Sequence, residues 1–564
     1  MNSSLNHRLD HDPHQPLVRV PVPDLLFVLA LLFAFFHAIQ TTGDLAYGYN
    51  PDMYRDTGVA EAFLNGTFPS DPIYNGELAW YNPLVPGIVA VLSQITGQPA
   101  HVIYVRAGAY LNLLAPIGFY VLASRLFNRW TGLACAISYL FLVENRVIGY
   151  FASYSPWLFP TDFAQGLFYL ALAAYWQALT SRQVRWYAIF GLLWGIAFLA
   201  HTSPALLLGG IFVLSSLPRL YNVWDEKLQS DRLYRQFGAL LAALIPALVV
   251  SLPLVMIIVG HYRLNTLNPA PATFRAPQLD VTNIPLLMKS QFTVWTIGAA
   301  LGFLHLLRLR SAPVTRQLVL LWLTVAAGLL GYDYIVQLLV RLGVSLPVII
   351  PSWHLVIYLE AVKALLYGLG VVVVIGLLAG MIQRLTQARL PHLMLGERLR
   401  HPAVLTAILI LLVIAAYPAY QQRYVFTDAR EEALRTHHVM TDRTGAYEWV
   451  RSNTKSEDVF LATDLHLSMF VVAQAGRKLV VAPPTFSNPY VELEPREQDQ
   501  AAMLDALLVG DHDRFEQLGA AYDLEYIVAS GDIRQALSEA ELPLLEPVYA
   551  AGDVSIYRVQ AQPE

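Results

Sequence analysis

The sequence predicts a mainly α-helical bundle that crosses a membrane many times and carries a small α/β domain at its C-terminal end. Of the 564 residues, 55% are hydrophobic and only 14% are charged, whereas a soluble protein of this length carries about 25% charged residues. Apolar segments recur from about residue 24 to about residue 420 and then stop. The pattern is typical of a polytopic membrane protein followed by a soluble domain.

Eleven apolar segments predict the transmembrane helices, since a helix needs about 20 residues to cross the hydrocarbon core. They lie near residues 24–41, 104–124, 131–150, 163–180, 187–201, 203–218, 238–260, 291–308, 317–338, 355–383 and 403–420. The fifth and the sixth are shorter, so we expect them to be half-buried or re-entrant. The first run, Leu25 to Ile39, lacks a small-residue cleavage site and is interpreted as an uncleaved helix rather than a signal peptide.

Basic residues in the short loops predict the orientation, because cytoplasmic loops carry the excess of Lys and Arg. One set of alternate loops holds most of them, including Arg8, Arg19, Arg125, Arg129, Arg182, Arg185, Arg219, Lys227, Arg232, Arg235, Arg308, Arg310, Arg316, Arg384, Arg389, Arg398 and Arg400. We therefore expect a multi-pass protein of the cell (inner) membrane with a cytoplasmic N-terminus. The long loops 42–103 and 261–289 then lie outside the cytoplasm.

The C-terminal segment, residues 421–564, predicts a soluble extracytoplasmic α/β domain, and residues 1–420 form the transmembrane domain. The stretches "DVFLATD", "RKLVVAPP", "LEYIVAS" and "VSIYRVQ" have the composition of short buried strands. The stretches "AAMLDALLVG" and "DRFEQLGAAY" between them have that of helices. Alternation of strands and helices indicates a small α/β unit.

Several classes of function are excluded by composition and motifs. The net charge of −5 does not suggest binding to nucleic acid, and the single cysteine, Cys135, excludes an internal disulfide framework and a cysteine-cluster metal site. The sequence contains no Walker loop, no dinucleotide-binding fingerprint and no Gly-x-Ser-x-Gly motif. It also shows no internal repeat, which is frequent in transporters.

The first long loop begins with an acidic segment, "YNPDMYRDTGVAEAFLNG". Asn50 suits a helix N-cap and Pro51 suits the first turn, so a helix is predicted from there to about Leu64. Asp52 then lies in the first turn, and Asp56 lies on the same face, four residues on. Acids at a helix start also complement the helix dipole, so a structural role stays open beside a catalytic one.

The order of segments in this loop resembles that of the membrane-embedded GT-C glycosyltransferases, which use polyprenyl-phosphate-linked sugars. The acidic helix "PDMYRDTGVAEAFLNG" and the aromatic-proline segment "WYNPLVPGIVAVLSQITG" carry the resemblance. The branch with protein O-mannosyltransferases and lipid A aminoarabinose transferases is the most similar. The chain departs from the branch at Met53, where its members have Glu, and at Asn82, where they have Pro. The resemblance implies a GT-C-like bundle of about eleven spans.

Transfer from such a donor needs a general base for the acceptor, while the phosphate leaves without protonation. Four carboxylates are candidate catalytic residues: Asp52 as the base, Asp44 as the next candidate, Asp56 to orient the acceptor, and Asp162. The last resembles a second carboxylate that family members often carry there. Loop solvation for Asp44, helix-face solvation for Asp56 and a helix N-terminus for Asp162 are the alternative roles.

The departing phosphate needs positive charge or a metal. The candidate substrate-binding residues lie near outer span ends: Arg106, His201, Glu144, Arg146, His354 and Trp353. His201 resembles a Lys or His that faces the lipid phosphate in some family members. Interfacial anchoring of Arg106, mutual pairing of Glu144 with Arg146, and a structural role for His201 are the alternatives. Glu360 and Lys363, deeper in the tenth span, are interpreted as a structural pair.

The sequence therefore predicts an inverting glycosyltransferase that moves a sugar from a polyprenyl-phosphate donor to an extracytoplasmic lipid, polysaccharide or protein. No organic cofactor is indicated; a divalent metal, Mg²⁺ or Mn²⁺, stays open, without assigned ligands. The alternatives are an oligosaccharyltransferase-like enzyme, a transporter or flippase of lipid-linked sugars, and a non-catalytic assembly or sensor protein. Since every catalytic candidate precedes residue 420, the C-terminal domain is expected to be dispensable for the sugar chemistry.

Overall fold

The computed structural model describes residues 21–141, 153–225, 230–275, 277–290, 292–344, 346–348, 350–387, 401–421, 428–540 and 542–560. Helices dominate up to residue 421. They are α1 (Val22–Thr42), α2 (Pro51–Leu64), α3 (Leu84–Thr96), α4 (Ala100–Leu111), α5 (Leu114–Leu126), α6 (Arg129–Phe141), α7 (Pro160–Ser181), α8 (Val184–Ala200), α9 (Thr202–Asp225), α10 (Ser230–Val255) with a π-helical end (Met256–His261), α11 (Ala270–Thr273), α12 (Ile284–Ser290), α13 (Val294–Arg308), α14 (Pro313–Arg341), α15 (Trp353–Gln387) and α16 (Pro402–Gln421).

Six helices among the described residues are long and apolar enough to span a membrane, or seven if one bent pair counts as a span. The six are Val22–Thr42, Ala100–Leu126, Gln236–His261, Pro313–Arg341, Trp353–Leu385 and Pro402–Gln421, and the bent pair is Val281–Ser290 with Val294–Arg308. Helices Leu84–Thr96, Val184–Ala200 and Thr202–Leu217 are apolar but shorter. A polytopic helical protein is confirmed. Eleven spans, and the side on which each end lies, stay predictions.

The membrane helices pack in close pairs, with α5 on α7, α8 on α10 and α13 on α15. Small residues permit such contacts, because no side chain separates the backbones. At Gly302 on α13, an added Cβ would lie 1.9 Å from the carbonyl oxygen of Leu366 on α15. The pair Glu360 and Lys363, predicted from their spacing, is present, with Nζ 3.6 Å from Oε2.

The C-terminal region contains a five-stranded mixed sheet. The strands are β1 (Val459–Ala462), β2 (Lys478–Leu479), β3 (Leu524–Ser530), β4 (Leu545–Ala551) and β5 (Val554–Val559), in the order β2-β1-β3-β5-β4. β1 is parallel to β2 and β3, and β5 is antiparallel to β3 and β4. The remaining elements are the helices Asp428–Val439, Thr441–Asn453, Glu494–Val509, His512–Ala520 and Gly531–Glu539, and a π-helix, Leu467–Ala473.

All four predicted strands and both predicted helices of this region are confirmed. The strand β4, the helices Asp428–Val439, Thr441–Asn453 and Gly531–Glu539, and the π-helix Leu467–Ala473 were not predicted. β4 contains Pro547, which argues against a strand in a sequence because Pro cannot donate to the ladder. The structure resolves the conflict by placing β4 at the edge of the sheet.

The C-terminal region packs on the first loop. One hydrophobic cluster combines Tyr47, Tyr54 and Tyr74 of that loop with Phe470 and Tyr526 of the C-terminal region. Asp71 of the loop is buried and accepts a hydrogen bond from Asn488 at 2.8 Å. The two parts therefore share a core, which argues against the expectation that the C-terminal region is dispensable.

Candidate active site

Asp52 lies at the start of α2, directly after the turn that follows the first span. The Asn50 side chain accepts a hydrogen bond from the Asp52 backbone N–H at 2.9 Å, and Pro51 occupies the first turn. The predicted start of the helix, and its end at Leu64, are confirmed. The cap fixes the backbone of Asp52 relative to the helix axis, so the direction of its carboxylate is set by the local sequence.

Arg55 lies between the two acids of this helix. Its Nη1 is 3.0 Å from Asp52 Oδ1, and its Nε and Nη2 are each 2.8 Å from Asp56 Oδ1. The Arg55 side chain is buried, whereas 30% of the Asp52 side chain is exposed. Among the described residues, Asp52 Oδ2 has no hydrogen-bond partner. One oxygen of Asp52 is thus anchored, and the other is available to a ligand.

Asp56 is fully buried, on the side of α2 that faces α4. The hydroxyl of Tyr104 on α4 donates to Asp56 Oδ2 at 2.7 Å. Burial raises the pKa of Asp56, while the Arg55 charge and the two hydrogen bonds act in the opposite direction. Both carboxylate oxygens are engaged inside the protein, so Asp56 suits a structural role better than contact with an acceptor.

A line of contacts leads from Arg55 to His201. The Arg55 guanidinium lies 3.7 Å from the ring centre of Tyr81, in the cation–π arrangement. The next residue, Asn82, donates to the Phe198 carbonyl at 2.6 Å and accepts from the Thr202 hydroxyl at 3.4 Å. Asn82 is the position where the family resemblance implies Pro. Here its amide ties the aromatic-proline segment to both sides of His201.

His201 and His354 form a buried pair of imidazoles, with ring centres 4.5 Å apart. The Ser203 N–H donates to His201 Nδ1 at 3.2 Å, which assigns the proton of the neutral ring to Nε2. His354 Nδ1 lies 2.9 Å from the Pro351 carbonyl and must be the donor there. The Trp353 ring stacks on the His354 ring, with ring centres 3.6 Å apart. His201 can therefore offer a ligand the Nε2–H.

Asp44, near the start of the first loop, and Arg106, on α4, lie in another part of the structure. Asp44 forms a two-fold ion pair with Arg430 of the helix Asp428–Val439, with both N–O distances 2.7 Å. This hydrogen-bonded pair lowers the pKa of the exposed Asp44. Arg106 Nε donates to the Leu45 carbonyl at 2.7 Å. The structure thus gives Arg106 and His201 different neighbours.

Asp162 is buried in the first turn of α7, where Gln165 Nε2 donates to its Oδ1 at 3.2 Å. The same Gln165 accepts from Tyr139 and Tyr169. Asp162 therefore belongs to a polar network inside the bundle. Glu144 and Arg146 lie outside the described residues, and their proposed roles stay predictions.

The described residues lack a complete set of protein ligands for the expected divalent metal. No group of three His, Cys, Asp or Glu side chains in this part of the chain could hold a metal ion. Asp52 Oδ2 is a suitable oxygen ligand, but its neighbour in the site is the cationic Arg55. A metal held by protein ligands alone does not fit these residues, and use of Mg²⁺ or Mn²⁺ stays a prediction.

Arg55, Tyr81 and Tyr104 are residues of the site that the sequence did not single out. Arg55 follows Asp52 by three residues and precedes Asp56 by one, and this spacing on a helix signals an ion pair. Tyr81, on the segment before α3, and Tyr104, on α4, gave no such signal, because they lie far from α2 along the chain. Their place in the site follows only from the packing of α2 on α3 and α4.

Comparisons with known proteins give matches of structure alone. Comparison with protein-family models finds no match, and comparison with curated protein sequences finds none. ArnT from Cupriavidus metallidurans, solved bound to undecaprenyl phosphate, is 14% identical, with a TM-score of 0.52, over 95% of this chain and 98% of that chain. The oligosaccharyltransferase AglB from Archaeoglobus fulgidus, solved with an inhibitory peptide and a dolichol-phosphate, is 13% identical, with a TM-score of 0.51, over 95% and 74% of the two chains.

A third match is the arabinofuranosyltransferase AftD from Mycobacteria, 13% identical with a TM-score of 0.52, over 95% of this chain and 40% of that chain. All three proteins belong to the GT-C superfamily. This chain has the GT-C fold. The resemblance found in the first loop is thereby confirmed at the level of the fold. Since the match with ArnT extends over 95% of this chain, it covers the C-terminal region as well as the bundle.

Proposed function

We propose that this protein is an inverting GT-C glycosyltransferase that moves a sugar from a polyprenyl-phosphate donor to an acceptor outside the cytoplasm. The observation that carries the proposal is the position of Asp52 and the partners of its two carboxylate oxygens. This carboxylate follows the first span directly, one of its oxygens is fixed by Arg55, and the other is available. The GT-C fold supports the reaction class, and the residues of the site supply the chemistry.

The reaction needs one proton transfer and one displacement. Asp52 Oδ2 takes the proton from the acceptor hydroxyl or amine, whose heteroatom then attacks the anomeric carbon. The bond between that carbon and the phosphate oxygen breaks, and its electron pair leaves with the polyprenyl phosphate. A single displacement inverts the anomeric centre. No general acid is required, since a phosphate leaves readily as an anion.

The leaving phosphate is best accommodated near His201. Because Ser203 occupies His201 Nδ1, the Nε2–H of His201 is the group that can donate a hydrogen bond to the phosphate. The rings of His354 and Trp353 stack beside His201. A hydrogen-bond donor in a buried site stabilises developing charge more strongly than one in water. Arg106 and Arg430 lie beside Asp44 and are better placed for a second anionic group than for the same phosphate.

The proposal includes the location. The protein lies in the cell (inner) membrane with its N-terminus in the cytoplasm and its C-terminal domain outside, because the basic loops alternate with the long ones. The donor stays in the bilayer, since each buried methylene of its tail contributes about 0.8 kcal/mol. The acceptor is a lipid, polysaccharide or protein that reaches the outer surface.

An oligosaccharyltransferase-like reaction is the second candidate, favoured by the match with AglB. That match extends over 74% of AglB, against 98% of ArnT. A chain that spans nearly all of ArnT and about three quarters of AglB supports transfer of a single sugar more than transfer of an oligosaccharide. The transferred group distinguishes the two, since only the second candidate moves an oligosaccharide.

The function is tested with the full-length protein in nanodiscs and radiolabelled undecaprenyl-phosphate mannose, glucose or aminoarabinose. We expect release of undecaprenyl phosphate from one of these donors, accelerated by an envelope extract that supplies acceptors. The sugar in the product should have the inverted anomeric configuration. Translocation of intact donor across proteoliposomes, without cleavage, would instead identify a flippase.

Replacing His201 by Ala should weaken donor binding about tenfold or more, because a hydrogen bond to a charged group contributes about 1.5–3 kcal/mol. Binding of undecaprenyl phosphate measured by tryptophan fluorescence checks this. His305→Ala, which changes an exposed histidine on α13, is the matched control and should leave the affinity unchanged. Equal affinities of both variants would remove His201 from the phosphate site.

A further inference from the structure

The helix that carries Asp52 is covered on more than one side. Ten consecutive residues of α2, from Met53 to Ala62, are buried. A helix with one covering layer would leave an exposed stripe along its opposite face. α2 packs against α3 and α4 of the membrane part and also against the π-helix Leu467–Ala473 of the C-terminal region. The C-terminal region therefore supplies a second wall for α2.

The contact at this second wall is between backbones. A Cβ added at Gly58 would lie only 2.1 Å from the carbonyl oxygen of Ala473. Gly476 has a φ of +71°, and a Cβ added there would lie 2.8 Å from Glu61 Cβ. No side chain other than hydrogen fits at Gly58, so the separation of α2 from the π-helix is fixed by main-chain contact.

An ion pair fixes the same contact along the helix. Arg451 Nε, on the helix Thr441–Asn453, lies 3.4 Å from Glu61 Oε1, and only 7% of the Glu61 side chain is exposed. Burial raises the pKa of Glu61, and the Arg451 and Arg477 charges oppose that shift. A buried carboxylate is tolerated only with such a partner, so Glu61 ties α2 to one register on the C-terminal region.

We propose that the C-terminal region positions the catalytic base, and that Gly58, Glu61 and Arg451 are positioning residues for the transfer reaction. This inference rests on the proposed function of Asp52. Gly58 lies six positions after Asp52 on the helix, about 9 Å away at the helical rise. A rigid helix of this length carries any displacement of Gly58 to the carboxylate. Misplacement of a reacting group by about 1 Å can cost a hundredfold in rate.

The test compares two glycine substitutions that meet α2 from different sides. Gly58→Ala forces α2 away from Ala473. Gly87→Ala, on α3, adds a methyl 3.6 Å from the Phe63 ring, an ordinary contact. We expect Gly58→Ala to lower the single-turnover rate of transfer at least about tenfold, with the Kd for undecaprenyl phosphate within about twofold of the wild type. Gly87→Ala should change neither quantity.

Arg451 provides a second, milder test if Gly58→Ala does not fold. Arg451→Met removes the ion pair at a partly exposed position, and Arg451→Lys keeps the charge. The rate should fall in the Met variant and recover in the Lys variant, with donor affinity constant. Wild-type rates in a folded Gly58→Ala or Arg451→Met variant would overturn the inference, as would parallel losses of rate and affinity. An inactive wild type would instead contradict the proposed function.

Discussion

Replacing Asp52 by Asn is expected to lower the rate of sugar transfer by about a hundredfold or more, the usual scale of general-base catalysis. Asparagine keeps the size of the side chain, so α2 and its Asn50 cap should form as before. The amide cannot take the acceptor proton. Because Arg55 also pairs with Asp56, loss of the Asp52 charge leaves a partner for the buried guanidinium, and the variant should fold.

Asp44→Asn is the control for this prediction. Asp44 is also a carboxylate of the first loop, but its side chain is 62% exposed and both of its oxygens are held by Arg430. An exposed pair of this kind contributes less than about 1 kcal/mol. We expect transfer within about threefold of the wild-type rate. If Asp44→Asn instead is the inactive variant, the base has been assigned to the wrong carboxylate.

Replacing Arg55 by Met should have the largest effect on stability. The substitution leaves Asp56 fully buried beside Tyr104 without its cation, and breaking a buried pair in this way costs about 3–5 kcal/mol. The same change frees Asp52 Oδ1, so residual activity should also fall. The loss is measured as the change in unfolding midpoint in detergent, followed by tryptophan fluorescence.

The loss of folding stability in Arg55→Met should depend on pH, and its direction follows from the pKa of Asp56. Burial raises the pKa of Asp56, and removal of Arg55 takes away the main opposing charge. A carboxyl group with a raised pKa in the folded state favours folding at low pH, and that contribution is lost as the pH rises through the folded-state pKa. The stability deficit of Arg55→Met should therefore grow from pH 5 to pH 8. The control Arg129→Met removes a guanidinium that is 57% exposed and lies 3.7 Å from Asp24, and its deficit should be small at every pH.

The sequence was sufficient for the parts of the fold that depend on local patterns. Asn50 and Pro51 predicted the start of α2, because a cap and a first-turn proline act within one helical turn. The strands of the C-terminal sheet were predicted from short buried runs, and β4 was missed because Pro547 hides an edge strand. The number of spans does not follow from apolar runs alone, since α8 and the apolar part of α9, Thr202–Leu217, are shorter than the other spans.

The sequence was insufficient for the neighbours of each side chain in the site. Asp52 and Asp56 have the same residue type and lie on one helix face, yet the Asp52 side chain is 30% exposed and Asp56 is buried. Asp56 is hydrogen-bonded to Tyr104, which belongs to another helix. His201, directly after α8, and His354, in the first turn of α15, are more than 150 positions apart in the chain and meet only in the folded bundle. The hydrophobic periodicity of a sequence shows whether a helix face is apolar or polar. It does not show which distant segment of the chain covers that face.

The central claim is that Asp52 is the base, and single-turnover transfer from a bound donor tests it most directly. The wild type and Asp52→Asn are loaded with radiolabelled donor at equal occupancy, acceptor is added, and release of undecaprenyl phosphate is followed. We predict equal donor affinity and release at least about a hundredfold slower in Asp52→Asn. Release at the wild-type rate from Asp52→Asn would contradict the account.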